Sequence, residues 1–124
     1  MSEILGTPEW RAQLDLQDEI WITPGWWANV AQLDLPGAGL WQVEALAELS
    51  LDPDGIRALQ LSLGGERVVA WICMAAEQTR STVLRVMCWI PTLHPTQLQI
   101  QLGHTAAVSL KLVDLRRSIR RVEQ

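Results

Sequence analysis

The sequence predicts a mainly β domain with one short helix, arranged as an antiparallel β-sandwich or curled sheet. Three observations predict it. Apolar and polar residues alternate over several short stretches, turn-forming residues separate those stretches, and the 124 residues have the length of one domain, 1–124. Hydrophobic residues make up 48 % and charged residues 19 % of the chain, a balance that belongs to a folded globular protein.

The elements follow in order. Trp10, Ala12, Leu14, Leu16, Ile20 and Ile22 share one side of an alternating stretch that Pro24 and Gly25 end, which reads as a half-buried strand or a bent pair of strands. Residues 26–33 read as one or two helical turns. Residues 40–51 fit two patterns: Trp41, Val43, Ala45, Ala47, Leu49 and Leu51 would line one face of a strand, yet Leu, Ala, Glu and Gln dominate, so a helix is expected. Asp52, Pro53, Asp54 and Gly55 form a turn. Leu59, Leu61 and Leu63 then lead into Gly64 and Gly65, a pair suited to a tight hairpin. The nearly continuous apolar run 68–76 reads as a central strand covered on both faces. Further strands are expected over 82–90, 96–102 and 106–112. The tail 115–124 places Arg116, Arg117, Arg120 and Arg121 on one side of a basic terminal helix, or forms a solvated tail.

The composition is unusual in one respect: seven Trp occur with no Phe and no Tyr. Trp must therefore supply every large aromatic contact. Each indole brings an N–H that seeks a partner, so several tryptophans are expected at an edge or interface. Charge is uneven. Residues 1–62 hold ten acids and two bases (net −8), whereas 63–124 hold four acids and eight bases (net +4), a distribution compatible with head-to-tail self-association. The start of the chain lacks the basic and apolar regions of a signal peptide, and no apolar run has the length of a membrane helix, so a cytoplasmic location without membrane contact is expected. Cys73 and Cys88 read as reduced core thiols that could face each other across a hairpin.

The segments WQVEALAELS, RALQLSLGGERVVAWICMAAEQ, VLRVMCWI with Pro91, and LQIQL resemble the C-terminal part of a cyanobacterial family of unknown function. The resemblance spans about residues 28–102. It implies a helix leading into a strand, a double-glycine hairpin, a long apolar strand and a strand ending near a proline-containing loop. Members of that family lie beside sigma factors and CHAT-type signalling proteases, which implies a regulatory setting and carries no functional residue across. The longer N-terminal region of the family is not matched here.

Catalytic patterns fail on their spacing. No nucleophile elbow is present, Gly37 and Gly39 lack a third glycine at Gln42, and the 52–55 turn is not followed by calcium ligands. Two histidines that sit in loops, His94 and His104, and two cysteines that lie in apolar strands do not make a zinc site, and no metal or other cofactor is expected. Asp15, Asp18 and Glu19 are the carboxylates that could form an atypical catalytic site. The overall acidity disfavours nucleic acid. What is left is a non-enzymatic protein-interaction module in a cytoplasmic regulatory or signalling assembly, self-associating, with Trp26, Trp27, Arg116, Arg117, Arg120 and Arg121 contacting the partner. The alternative is a small-ligand or carbohydrate-binding β domain with tryptophan platforms, and the third reading is an enzyme using the carboxylates.

Overall fold

The computed structural model describes residues 3–4, 9–11, 19–64 and 67–123, and of 3–4, 9–11 and 123 the backbone alone. The strands are β1 (Glu3–Ile4), β2 (Glu9–Arg11), β3 (Trp21–Ile22), β4 (Gly25–Leu35), β5 (Gly39–Leu49), β6 (Ile56–Leu63), β7 (Arg67–Ala75), β8 (Thr82–Thr92), β9 (Thr96–His104) and β10 (Leu110–Glu123). Among the described residues there is no helix, so none is long and apolar enough to cross a membrane.

The mainly β expectation holds in its coarse form: two antiparallel sheets face each other. In the first, the order is β1-β10-β5-β8, and β2 and β3 also pair with β10 along the edge that β5 does not use. In the second, the order is β4-β9-β6-β7. One apolar core joins them. Val43, Ala45, Ala47, Leu49, Leu84, Leu110, Leu112 and Leu115 come from one sheet, and Leu33, Leu35, Leu59, Leu61, Leu98, Ile100 and Leu102 from the other.

Three helical expectations are corrected. Residues 40–49 lie in β5, and Ser50 and Leu51 follow it; no helix forms, because every second side chain from Trp41 to Leu49 is buried against the opposite sheet. Burial of that whole row outweighs per-residue helix preferences of a few tenths of a kcal/mol. Residues 26–33 lie within β4, which pairs with β9 through two register shifts. The tail continues β10 as a strand to Glu123, paired with β5 from Leu112 to Val122. A bulge between Leu112 and Asp114 resets its inward row from Leu110 and Leu112 to Leu115 and Ile119. The strand expected from Ala106 starts only at Leu110, leaving Ala106 buried in the preceding loop and Val108 exposed. Of the first predicted strand, β2 and β3 are seen, and residues 12–18 lie outside the described residues. Gly64 turns at φ 59° as a hairpin glycine should, and Gly65 lies outside the described residues.

The end of the sandwich carrying β3 is tied by two buried polar side chains. Arg57 is fully buried, and its guanidinium donates to the carbonyls of Asp54 (2.8 Å), Asp52 (2.8 Å) and Ile56 (3.3 Å), which holds the 52–56 turn. Burial lowers its pKa, an effect that nearby Asp52 and Asp54 oppose. His104, also fully buried, donates from Nε2 to the Ile22 carbonyl (2.7 Å). Its Nδ1 accepts from the Ala106 N–H (3.2 Å), which selects the Nε2–H tautomer. The expectation that both histidines sit in loops is therefore corrected for His104, which closes β9.

Candidate functional site

The predicted tryptophan and arginine residues do not come together. Trp26 and Trp27 open β4, where Gly25 faces His104, while Arg121 faces Trp41 at the far end, beyond the turn joining β4 to β5. Strand alternation also divides the arginines. Arg116 bonds Asp114 (2.9 Å) and Arg120 bonds Gln42. Arg117, by contrast, lines a cleft of about 100 Å³ with Gln32 and Asp34. Arg121 lies 5.9 Å over the Trp41 ring. These side chains serve several local contacts, and no single basic patch results.

Trp26 and Trp27 are 52 % and 38 % exposed, with ring centroids 5.3 Å apart and planes tilted by 52°. The Trp26 indole rests on Gly103: a Cβ at that position would meet Cε3 at 2.1 Å, so only glycine leaves room for the ring. Beyond it, the outer face of this sheet is a web of amides. Gln101 donates to Asn29 (2.7 Å), Gln60 donates to Gln101 (2.6 Å), and Gln97 donates to Gln32 (2.9 Å). Each donor meets an acceptor on the neighbouring strand, as expected for like side chains opposed across a sheet.

A second group of exposed apolar side chains lies elsewhere, on the side where β7 and β8 run as the edges of their respective sheets. The central-strand reading of 68–76 is corrected here. β7 pairs with β6 alone among the described strands, and Trp71 on it is 67 % exposed, with Val68 and Cys73 also exposed. β8 adds exposed Val83, Met87 and Trp89. A shallow cleft of about 400 Å³ runs between Val69–Ile72 and Arg85–Cys88.

Backbone alternation shows which groups point out from these edges. The Ala76 N–H reaches the Gly55 carbonyl (3.0 Å), so Ala70, Ile72 and Met74 of β7 face β6, and Trp71, Cys73 and Ala75 direct their N–H and C=O outward. The Ser50 N–H bonds the Lys111 carbonyl (2.9 Å), so even residues of β5 face β10 and odd ones face β8. Their partners on β8 are even-numbered, from Thr82 to Thr92. Val83, Arg85, Met87, Trp89 and Pro91 are thus the outward-pointing positions of β8. Pro91, which has no N–H, falls in that outward set, where a proline breaks no pairing with β5. This proline was the one sequence signal that 82–92 is an edge. Nothing comparable marks β7.

Cys73 and Cys88 are both free thiols, and the core expectation is corrected for Cys73, which is exposed on the opposite sheet from Cys88. Burial pushes the Cys88 thiol pKa up, away from reactivity. Asp15 and Asp18 lie outside the described residues, and Glu19 is an exposed carboxylate bonded by Lys111 (3.2 Å) and by the Trp21 indole N–H (3.3 Å). Among the described residues no three His, Cys, Asp or Glu side chains converge to hold a metal ion. Compared with known protein families and with curated proteins, the chain matches none.

Proposed function

We propose that the protein is a non-enzymatic β-sandwich interaction module that docks a protein through the β7–β8 side, within a cytoplasmic regulatory or signalling assembly. One observation carries this reading: an apolar strand of central-strand composition stands at a sheet edge with Trp71 two-thirds exposed. A long apolar edge is a ready template for strand addition, and proteins usually defend such edges with charge. Along 68–76 no residue is charged. Trp71 and Trp89 are the indole anchors that protein interfaces favour. The resemblance to a family encoded beside signalling proteins supports the regulatory setting. Trp26, Trp27 and the β10 arginines are secondary on this reading, because the fold places them away from this side.

Oxidative footprinting of Trp71, Cys73, Met87 and Trp89 tests the reading, comparing cells that make the protein with dilute purified protein. Protection in cells at these side chains is expected. Equal oxidation at all four in both settings would overturn it.

A second reading draws on the Trp26 face, where an indole platform borders an amide web that reaches Asp34 through Gln97 (3.2 Å). Uncharged amides with indoles suit a neutral saccharide chain better than an anion. Fluorescence titration with neutral oligosaccharides, repeated with Trp26→Ala, is its test, and flat titrations remove it.

A further inference from the structure

We infer that the occupant of the β8 edge is a second copy of the chain, added antiparallel about a twofold axis at Met87. This deepens the docking reading above and rests on it. Two edges are open on that side, and they differ. The β6–β7 register shifts between Leu61 and Ser62, a bulge at the start of β7 that leaves only Ala70–Ala75 in regular register with β6, a shorter template than β8. The β5–β8 register runs unbroken from Gly39 opposite Thr92 to Leu49 opposite Thr82, so β8 is the regular edge. Its four outward N–H groups, at Val83, Arg85, Met87 and Trp89, are unpaired among the described residues. The strands β1, β2 and β3 all pair with β10, on the far side of β5 from β8.

A strand that pairs with its own copy must be self-complementary, since a twofold interface brings the same patch against itself. Centring the pair on Met87 places Met87 beside its copy, Arg85 opposite Trp89 and Val83 opposite Pro91. The outward-pointing residues then fall at hydrogen-bonded positions, where two residues exchange both bonds, except that Pro91 only accepts. The side chains agree. Arg85 is the single charged residue of β8, and its side chain remains 62 % exposed although Glu44 accepts its ion pair. Each Arg85 guanidinium therefore meets the exposed Trp89 ring of the other copy, a cation–π arrangement that occurs twice by symmetry. Neighbouring registers do worse. Centring on Arg85 opposes two like charges, and centring on Cys88 places both guanidinium groups against Pro91. The Met87 register alone uses arginine and indole together, and it joins the two β8 sheets into one continuous sheet.

Sedimentation velocity and light scattering on the whole chain, across a wide concentration range, are the first measurement. A reversible dimer is expected, with amide exchange at Val83, Arg85, Met87 and Trp89 slowing as concentration rises. Met87→Pro removes an outward N–H and no bond to β5, and Met87→Lys places a charge at the axis while keeping the backbone intact. Either variant is expected to weaken the dimer by about thirtyfold, the scale of one strong interface residue. Met87→Cys, in a chain with Cys73→Ala and Cys88→Ala, is expected to form a disulfide-linked dimer under mild oxidation, because opposed residues there lie about 5.5 Å apart. A strict monomer, a dimer indifferent to the folded Met87→Lys variant, or ready cross-linking through native Cys88 but not through Met87→Cys would each overturn the inference. The footprinting comparison separates the two failures: protection in cells without self-association leaves the docking reading standing with a different partner, whereas loss of both removes both.

Discussion

Replacing Gly103 by alanine tests how Trp26 is seated on the sheet. The new Cβ would lie 2.1 Å from Cε3 and 2.7 Å from Cζ3 of Trp26, so the ring must leave. Trp26 is 52 % exposed, which leaves about half of its surface covered. That is roughly 100 Å² of the area an indole can bury, equivalent to about 2.5 kcal/mol at the usual ~25 cal/mol per Å². Replacing glycine also restricts the unfolded chain, which returns about 0.5–1 kcal/mol. The expected net loss is about 1.5–2 kcal/mol, a fall in Tm of roughly 5–8 °C. The decisive measurement is the double-mutant cycle by urea unfolding. With Trp26→Ala already present, the collision partner is gone, and Gly103→Ala should become neutral or slightly stabilising. The Gly25 carbonyl, 3.0 Å from the new Cβ, sits on an edge strand and can yield by a few tenths of an ångström. An equal loss in both backgrounds would show that the backbone of Gly25, and not the indole, demands glycine, and the seating argument would fail.

Further expectations follow from the buried and paired groups. Arg57→Met should lower unfolding free energy by about 2–4 kcal/mol, because three carbonyls that the guanidinium satisfies lose their donor, and a change within about 0.5 kcal/mol would show the turn holds without it. At mildly alkaline pH, Cys73 should react with a thiol reagent well before Cys88, whose raised pKa leaves less thiolate; mass spectrometry of the partly labelled chain reads the order, and the reverse order would refute it. Hydrogen bonds from Lys111 and then Trp21 hold the Glu19 carboxyl below the ordinary carboxylate range. A lowered folded pKa contributes stability above the unfolded value and loses it as pH falls through the folded one. Protection of the Leu112 amide, whose N–H bonds the Ile20 carbonyl (2.8 Å), taken as its exchange rate relative to the intrinsic rate at each pH, should therefore fall modestly on acidification, and less so at high salt where the pair is already screened. Exchange that ignores salt would count against the pairing.

Period-two alternation was enough to read 59–63, 82–90 and 96–102 as strands and to name their inward rows, because successive side chains of a strand face opposite ways whatever the strand pairs with. It also placed Leu59, Leu84 and Leu98 inside before any neighbour was known. Residues 40–51 and the arginine tail carried a second, helical pattern of comparable local merit. Only the opposite sheet decided them, by burying Val43, Ala45, Ala47 and Leu49 completely and by extending β10 along β5. The candidate site was less legible still. Whether an apolar strand is central or at an edge depends on how many strands pair with it, a long-range fact that leaves no mark in 68–76. The same holds for Arg116, Arg117, Arg120 and Arg121, which share one side of a helix but alternate on a strand. Local sequence determined which residues avoid water; the pairing of distant strands decided which of them could not, and so left Trp71, Met87 and Trp89 at the surface.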